Sequence, residues 1–184
     1  MARKIIGKKS TGLGPLILDN VNMLPRSVKK IDAFSGACRE LFISENPKFK
    51  KNPIGLEEAF REFFKKKNIK DIWIYYPWRH TVVRTLNEKY YFKLRTARNR
   101  HVISENEQQV FRDLKIGIAG LSVGSAIASV LVMNGGPQSI KLADFDQVEI
   151  TNLNRIRAKL LDVGTSKVLV AAREIWELDP FAKL

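Results

Sequence analysis

Residues 116–128, IGIAGLSVGSAIA, place small residues where two different kinds of chemistry are possible. The segment 120–124 matches G-x-S-x-G, the turn that exposes a nucleophilic serine in α/β-hydrolases. Such enzymes carry an acid and then a histidine after the serine. Both histidines of this chain, His80 and His101, precede Ser122, so the sequence disfavours a hydrolase.

The same turn also suits a phosphate. A helix N-terminus leaves backbone N–H groups unpaired and carries partial positive charge, and small residues allow a ligand to approach closely. Gly120, Ser122 and Gly124 supply small residues, although their spacing departs from G-x-G-x-x-G. Taken alone, the turn fits close strand–helix packing equally well.

An acidic residue at the end of the next predicted strand favours a nucleotide. Asp144 lies 24 residues after Gly120. A carboxylate about 20 residues after such a turn can accept hydrogen bonds from ribose hydroxyls. Turn and acid together predict a nucleotide site without specifying which nucleotide.

Polar and basic residues after that strand favour a triphosphate. Asn152 and Arg155 follow the strand, and Lys167 opens the next predicted helix. A triphosphate carries about twice the charge of a pyrophosphate, and arginine offers paired donors to phosphate oxygens. Arg157 is a further candidate for the same role.

The elements that position these residues form an α/β pattern. Ser104 and Glu107 predict a helix that opens with a capping box. After it come strands at 115–119 and 139–143 and helices at 124–133 and 165–178, the start of a Rossmann-like parallel sheet. Two strands rarely form a stable sheet. We therefore expect a fragment that lacks the C-terminal part of the fold, or a sheet completed by strands near 71–86 or by a second chain.

The N-terminal region has a different composition. Residues 1–110 contain 23 Lys and Arg against 11 Asp and Glu, whereas residues 111–184 contain 9 against 8. This break predicts a basic α+β region over 1–100 and a nucleotide-binding region over 101–184. Patterns in the first region predict the following: irregular 1–24, helices at 27–43, 56–67 and 88–96, and strands at 71–78 and 81–86.

Composition narrows the cellular context. No apolar run approaches the roughly 20 residues that cross a membrane. The one cysteine, Cys38, lies on an apolar helical face, which predicts a core residue in a reducing compartment rather than a nucleophile. The sequence contains no C-x-x-C pair, so we do not expect a structural zinc site. We expect a cytoplasmic protein without membrane contact.

The motifs GLSVGS, LADFDQVEITNLNR and DVG, together with Lys167, closely resemble the ThiF/MoeB/HesA-type adenylating superfamily, which includes ubiquitin-activating enzymes. The resemblance runs from about Arg98 to the end of the chain. It is closest to members with a GLSVGS loop and an N-terminal extension.

This resemblance implies a ThiF-type fold and an ATP- and Mg²⁺-dependent adenylyltransferase. The substrate would be a carboxylate, at the C-terminus of a ubiquitin-like sulfur carrier or in a small acid. The implied roles are these: Gly120, Ser122 and Gly124 line the phosphate loop, Asp144 binds the ribose, Asn152, Arg155 and Lys167 contact the phosphates, and Arg100 reaches into the site of a partner protomer. The last role implies a homodimer. The family's metal-binding aspartate would lie beyond the end of this chain, so no metal ligand is assigned here.

Two other function classes remain open at this stage. One is an NAD- or FAD-binding oxidoreductase that uses the same turn and Asp144. The other is a non-enzymatic module in which residues 1–100 bind a partner protein or nucleic acid. Nucleic acid is the less favoured partner, because the aromatic residues of 73–78 alternate as in a half-buried strand.

Overall fold

The computed structural model describes residues 13–184, and the chain divides into two compact units, residues 1–97 and 98–184. The described part of the first unit has mixed α and β structure, as predicted. Its elements are β1 (Leu16–Leu18), β2 (Lys29–Asp32), α1 (Phe34–Glu45), α2 (Lys48–Lys51), α3 (Leu56–Lys67), β3 (Asp71–Tyr76), β4 (Thr81–Leu86) and α4 (Glu88–Arg95).

The strands of the first unit form one sheet in the order β1-β3-β4-β2. β3 pairs antiparallel with β1 and β4, whereas β2 runs parallel to β4. Phe34, Cys38, Leu41, Ile69 and Leu86 form the core between sheet and helices. Cys38 is 2% exposed, which confirms its prediction as a core residue.

The predicted helix over 27–43 is wrong at its start. Residues Lys29–Asp32 are a strand, and the helix begins only at Phe34. The strand forms because Lys29 and Asp32 pair with Thr81 and Arg84, about 50 residues away along the chain. Sheet pairing outweighs a local helical spacing whenever it satisfies the backbone groups better.

The predicted irregular segment 1–24 also contains a strand. Leu16–Leu18 pairs with Trp73–Tyr75. Residues 1–12 of that predicted segment lie outside the described residues. The other predicted elements of this unit are confirmed within a residue or two, including α3, whose bounds are as predicted.

The second unit is built on a parallel pair of strands, which confirms the α/β prediction. Its elements are α5 (Glu105–Asp113), β5 (Lys115–Ala119), α6 (Leu121–Met133), β6 (Ser139–Ala143) and α7 (Lys167–Leu178). β5 and β6 pair in parallel register from Lys115–Ser139 to Ala119–Ala143. Ala128, Val132, Ile140 and Ile175 form the core between the strands and the two helices α6 and α7.

The predicted strands near 71–86 do not complete this sheet, since β3 and β4 belong to the first unit. Instead, Lys183 forms a parallel bridge with Ser139 on the outer edge of β6. The Ile140 N–H donates to the Lys183 carbonyl at 2.9 Å. The outer edge of β6 is where the third strand lies in the 3-2-1 order of Rossmann folds.

Helix α6 begins three residues before the predicted position. Its N-cap is Gly120, with φ of +83°, and Leu121 is already helical. Ser122 and Gly124 therefore lie in the first turn of the helix rather than in a loop. No helix among residues 13–184 is long and apolar enough to cross a membrane.

Candidate functional site

The carboxyl end of β5 turns directly into the N-terminus of α6. Gly120 makes the turn, and its positive φ is a backbone conformation that residues with a Cβ rarely adopt. A Cβ there would meet nothing within 4 Å, so the backbone conformation, rather than crowding, requires glycine. The Gly120 N–H donates to the Ala143 carbonyl at 2.9 Å, which links the turn to the end of β6.

Gly124 has a packing role in the structure. A Cβ at this position would lie 2.6 Å from Cγ2 of Ile118, which is closer than real Cβ atoms come. The glycine thus lets α6 lie directly against β5. The predicted contact of Gly124 with phosphate remains a prediction.

Asp144 is held at the N-terminus of α6. Its Oδ2 accepts a hydrogen bond from the Leu121 N–H at 2.6 Å, and its Oδ1 accepts one from the Asp146 N–H at 2.8 Å. Burial by itself raises the pKa of Asp144, but these two N–H groups and the charge of Lys167 outweigh burial and lower the pKa below its ordinary value. The carboxylate is therefore charged at neutral pH.

Lys167 lies beside the same helix end. Its side chain is buried, and its Nζ lies 2.6 Å from Oδ2 of Asp146 and 3.4 Å from Oγ of Ser122. The Lys167 N–H also donates to the Asp146 carbonyl, which ties the start of α7 to the segment after β6. We call Ser122, Asp144, Asp146 and Lys167 the polar cluster.

The remaining predicted site residues lie near the polar cluster in sequence but have other partners. Asn152 is buried, and its Oδ1 accepts from the Glu149 N–H at 3.0 Å, so it shapes a turn. Arg155 is exposed, and its Nη1 donates to the Thr151 carbonyl at 3.0 Å. Arg157 is paired with Glu174 at 3.2 Å.

Arg100 lies apart in the chain, on a short 3-10 helix at Asn99–His101, and is exposed. The structure contains one protomer, so a contact of Arg100 with a partner's site stays a prediction. No group of three or more His, Cys, Asp or Glu residues is arranged to hold a metal ion within residues 13–184.

The β5–α6 turn, the acid at the end of β6 and the lysine at the start of α7 are features on which the resemblance to the ThiF-type superfamily rests. Residues 96–184 match the model of the ThiF family. This part of the chain belongs to the ThiF family. The sequence-based identification of the superfamily is thereby confirmed, and we call residues 96–184 the ThiF segment.

The similarity to some known proteins extends beyond the ThiF segment. An uncharacterized protein of Mycobacterium tuberculosis, MT1398, is 38% identical over 169 residues, covering 90% of this chain and 21% of its own length. The tRNA threonylcarbamoyladenosine dehydratase 2 of Saccharomyces cerevisiae is 39% identical over 70 residues, covering 38% of this chain and 15% of its own length. Ubiquitin-like modifier-activating enzyme 5 of Drosophila pseudoobscura pseudoobscura is 29% identical over 106 residues, covering 57% of this chain and 26% of its own length. The chain thus spans about a quarter or less of each of these relatives.

Among solved structures, the tRNA N6-threonylcarbamoyladenosine dehydratase TcdA of E. coli matches with a TM-score of 0.48 and 30% identity. The match covers 53% of this chain and 40% of that chain. A complex of the same enzyme with ATP matches with the same values.

Sequence reasoning missed one member of the polar cluster in the ThiF segment. Asp146 neutralises the buried Lys167 at 2.6 Å and, through its N–H, fixes the carboxylate of Asp144. The spacing Asp-x-Asp at the end of a strand was the available signal, because it places two carboxylates beside one helix end. Without Asp146, Lys167 would be a buried charge without this counter-ion.

Proposed function

We propose that the ThiF segment binds ATP with Mg²⁺ and takes part in the adenylation of a carboxylate. One observation carries the proposal: a charged Asp144 is bound to the N-terminus of α6, and the ammonium of Lys167 lies at the same helix end. Membership of the ThiF family favours this function over the oxidoreductase and over the nucleic-acid module.

The ribose would bind at Asp144. A carboxylate has about four acceptor sites, and the N–H groups of Leu121 and Asp146 use one on each oxygen. The remaining acceptor sites can receive the ribose hydroxyls. Because the pKa of Asp144 is lowered, the group is an acceptor over the whole neutral range.

The phosphates would bind along the first turn of α6. The Gly120 backbone is exposed there, the Ser122 hydroxyl lies within reach of Lys167, and α6 has its positive dipole end at this point. Arg155 is the exposed cation after the 3-10 helix Ile150–Asn152, and its donors can turn from the Thr151 carbonyl to phosphate oxygens. Asn152 would act by fixing the turn that carries Arg155.

Charge explains why a metal ion belongs to the proposal. Asp144 and Asp146 together offset the charges of Lys167 and Arg155, so the site is close to neutral without a ligand. A triphosphate adds about four negative charges, which a divalent cation would partly neutralise. Bound Mg²⁺ would stabilise the charge that develops on the leaving pyrophosphate.

The chemistry needs no nucleophile from this chain. The substrate carboxylate attacks the α-phosphorus, a new carboxyl–phosphate bond forms, and pyrophosphate leaves. The residues of the site align the reacting groups and neutralise charge. We propose a ubiquitin-like C-terminus or a small acid as the substrate; the first is consistent with the name of the Drosophila relative. A homodimer in which Arg100 enters the partner's site, and a cytoplasmic location, are part of the same proposal.

Paired arginine variants test the phosphate contact. Arg155→Ala should weaken Mg²⁺-ATP binding about tenfold or more, since a hydrogen-bonded charge pair contributes about 1.5–3 kcal/mol. Arg157→Ala removes the same charge two residues away but from an arginine that pairs with Glu174, and should leave the affinity nearly unchanged. Titration calorimetry measures both. Equal affinity of Arg155→Ala and wild type would remove Arg155 from the site, and no heat from ATP with wild type would contradict the proposal itself.

A further inference from the structure

Three lysine-rich segments of the first, N-terminal unit meet at the C-terminal end of α1. Residues 45–51, 62–70 and 88–93 together contain nine lysines against three acids, Glu45, Glu62 and Glu88. We call these nine lysines the lysine cluster. All of them precede the ThiF segment, and the proposed adenylation uses none of them.

Glu45, the last residue of α1, joins two of the segments. Its Oε2 accepts a hydrogen bond from Nζ of Lys67 at 2.9 Å, and its Oε1 lies 3.0 Å from Nζ of Lys93. The Tyr90 hydroxyl donates to the Lys67 carbonyl at 3.3 Å, which ties α4 to the end of α3. The C-terminal ends of α1 and α3 therefore lie beside α4.

A row of phenylalanine contacts brings α2 to the same place. Phe49 of α2 and Phe42 of α1 have ring centroids 5.3 Å apart. Phe42 and Phe63 of α3 are likewise 5.3 Å apart. Lys48 lies over the ring of Phe49 at 5.0 Å, and Lys67 lies over the ring of Phe63 at 5.1 Å. The lysines of α2 and of α3 thus border one group of packed aromatic rings.

Most of the lysine cluster is exposed and lacks a counter-ion. Lys67 and Lys93 are half-buried, and both are paired with Glu45. The other seven lysines are exposed. Among residues 13–184, no ion pair of these seven is found. The surface therefore presents a concentrated positive charge to its surroundings.

Helix ends explain only part of the lysine cluster. Cations stabilise the C-terminus of a helix, which accounts for Lys65–Lys67 in the last turn of α3. Lys70 lies beyond that helix, and Lys89 is the second residue of α4, where the helix dipole disfavours a cation. Neighbouring like charges also repel one another, so lysines gathered in this way favour a polyanionic partner.

We propose that the lysine cluster is a docking surface for the phosphodiester backbone of a nucleic acid. Lysine is a point charge without the planar fork of donors that arginine has, so the surface fits phosphates within any sequence. The phenylalanines here pack against one another and are not available as anchors in a lipid surface, which favours nucleic acid over an anionic membrane. This docking adds to the proposed adenylation and does not depend on it.

The test measures binding of the full chain to fluorescein-labelled RNA and DNA duplexes of about 20 base pairs, two helical turns, by fluorescence anisotropy. Two unrelated sequences of each should bind equally, because phosphates make the contact. Affinity should fall by about a hundredfold or more as salt rises from about 50 to 200 mM, since each neutralised phosphate releases a counter-ion. Tighter binding of one kind of duplex would support the proposal and identify the partner as RNA or DNA.

Two outcomes of this measurement would overturn the proposal. One is the absence of duplex binding at the lower salt, or binding that salt does not weaken. The other is binding to phosphatidylserine vesicles but to neither duplex, which would assign the lysine cluster to a membrane surface.

A triple variant locates the binding on the lysine cluster. Lys48, Lys66 and Lys70 are exposed, and their simultaneous replacement by glutamine keeps long polar side chains and removes three charges. Because no ion pair is lost, the variant should unfold at the same temperature as wild type. Duplex binding should weaken about tenfold or more, and the slope of affinity against salt should fall by about three contacts.

The matched control removes three charges from the other end of α1. Arg26, Lys29 and Lys30 are exposed and precede α1, whose 12 residues separate them from Glu45 by about 18 Å of helix. Their replacement by glutamine gives the same net charge as the first variant and should leave the affinity near that of wild type. If both triple variants weaken binding equally, overall charge is responsible, and the assignment to the lysine cluster is contradicted.

Discussion

At the scale of single residues, the candidate site depends on two backbone N–H groups that orient one carboxylate. Asp144 is fixed by the N–H groups of Leu121 and Asp146, at 2.6 and 2.8 Å. Those bonds are made only when β6 ends beside the start of α6. The side chain that we propose to bind the ribose is thus also a contact that closes the fold.

This dual role predicts a pH-dependent stability. The pKa of Asp144 in the folded chain lies below its ordinary value of 3.8, so its stabilising effect is present above that value and is lost as the pH falls through the folded-state pKa. At pH 7, Asp144→Asn should lower the free energy of unfolding by about 1–2 kcal/mol. Below pH 3.8 the difference in the free energy of unfolding between Asp144→Asn and wild type should shrink. Urea unfolding at several pH values measures it.

Asp113→Asn is the control for this comparison, because Asp113 is exposed at the end of α5 and accepts from the Gln109 side chain rather than from backbone. Its effect should stay small at every pH. If the gap between Asp144→Asn and wild type widens as the pH falls, the linkage is contradicted.

Cys38 gives a second prediction at this scale. Burial raises the pKa of its thiol to about 11, so the thiolate is scarce at neutral pH. Iodoacetamide at about pH 8 should label the native chain very slowly and the denatured chain fully. Because Cys38 is the one cysteine, intact mass reads the result directly.

Ser35→Cys in a Cys38→Ala background is the matched control, since Ser35 is exposed on the same helix. That thiol should react in the native state. Rapid native labelling of Cys38 itself would show that the helix opens readily, against the core position described here.

At the scale of elements, the contact of α6 with β5 depends on a glycine. Ile118 of β5 lies where a Cβ of residue 124 would be, at 2.6 Å. The Cγ2 atom of isoleucine is attached to a branched, stiff position and cannot move aside alone. The helix must therefore shift if residue 124 gains a side chain, and the first turn of the site shifts with it.

Gly124→Ala should accordingly lower the free energy of unfolding by about 1–3 kcal/mol, as overpacking does. Gly117→Ala is the control, because a Cβ there meets nothing within 4 Å and the residue lies on β5 as well. The control should be neutral or slightly stabilising. Urea denaturation of both variants measures the difference, and equal stability of Gly124→Ala and wild type would show that α6 does not lie as close to β5.

The elements also show which parts of the fold a sequence can predict. The helix opened by Ser104 and Glu107 was predictable because its capping box is local, with both reciprocal bonds present. The strand Lys29–Asp32 was not, because its partner β4 lies about 50 residues further along the chain. The early start of α6 follows from the φ of Gly120, which no spacing reveals.

The same distinction applies to the site. Asp144 and Lys167 could be selected from residue type and position after predicted strands and turns. The ion pair of Lys167 with Asp146 spans 21 residues and exists only once α7 folds back beside β6. Gly124 looked like a ligand contact by type, and only the distance to Ile118 reveals its packing role.

At the scale of the whole molecule, charge and chemistry are divided along the chain. Most of the net charge of +13 lies in residues 1–110, while the polar cluster and its near-neutral surroundings lie in the ThiF segment. The N-terminal unit has its own sheet, its own core and its own cavity.

The most direct test of the central claim is thermal unfolding with a panel of nucleotides. ATP with Mg²⁺ at about 100 times its dissociation constant should stabilise the chain by about 2.7 kcal/mol and raise Tm, whereas NAD and FAD should not. Lys167→Met should abolish the shift with ATP. Stabilisation by NAD or FAD without any by ATP, or an ATP shift that persists in Lys167→Met, would contradict an ATP site at the N-terminus of α6.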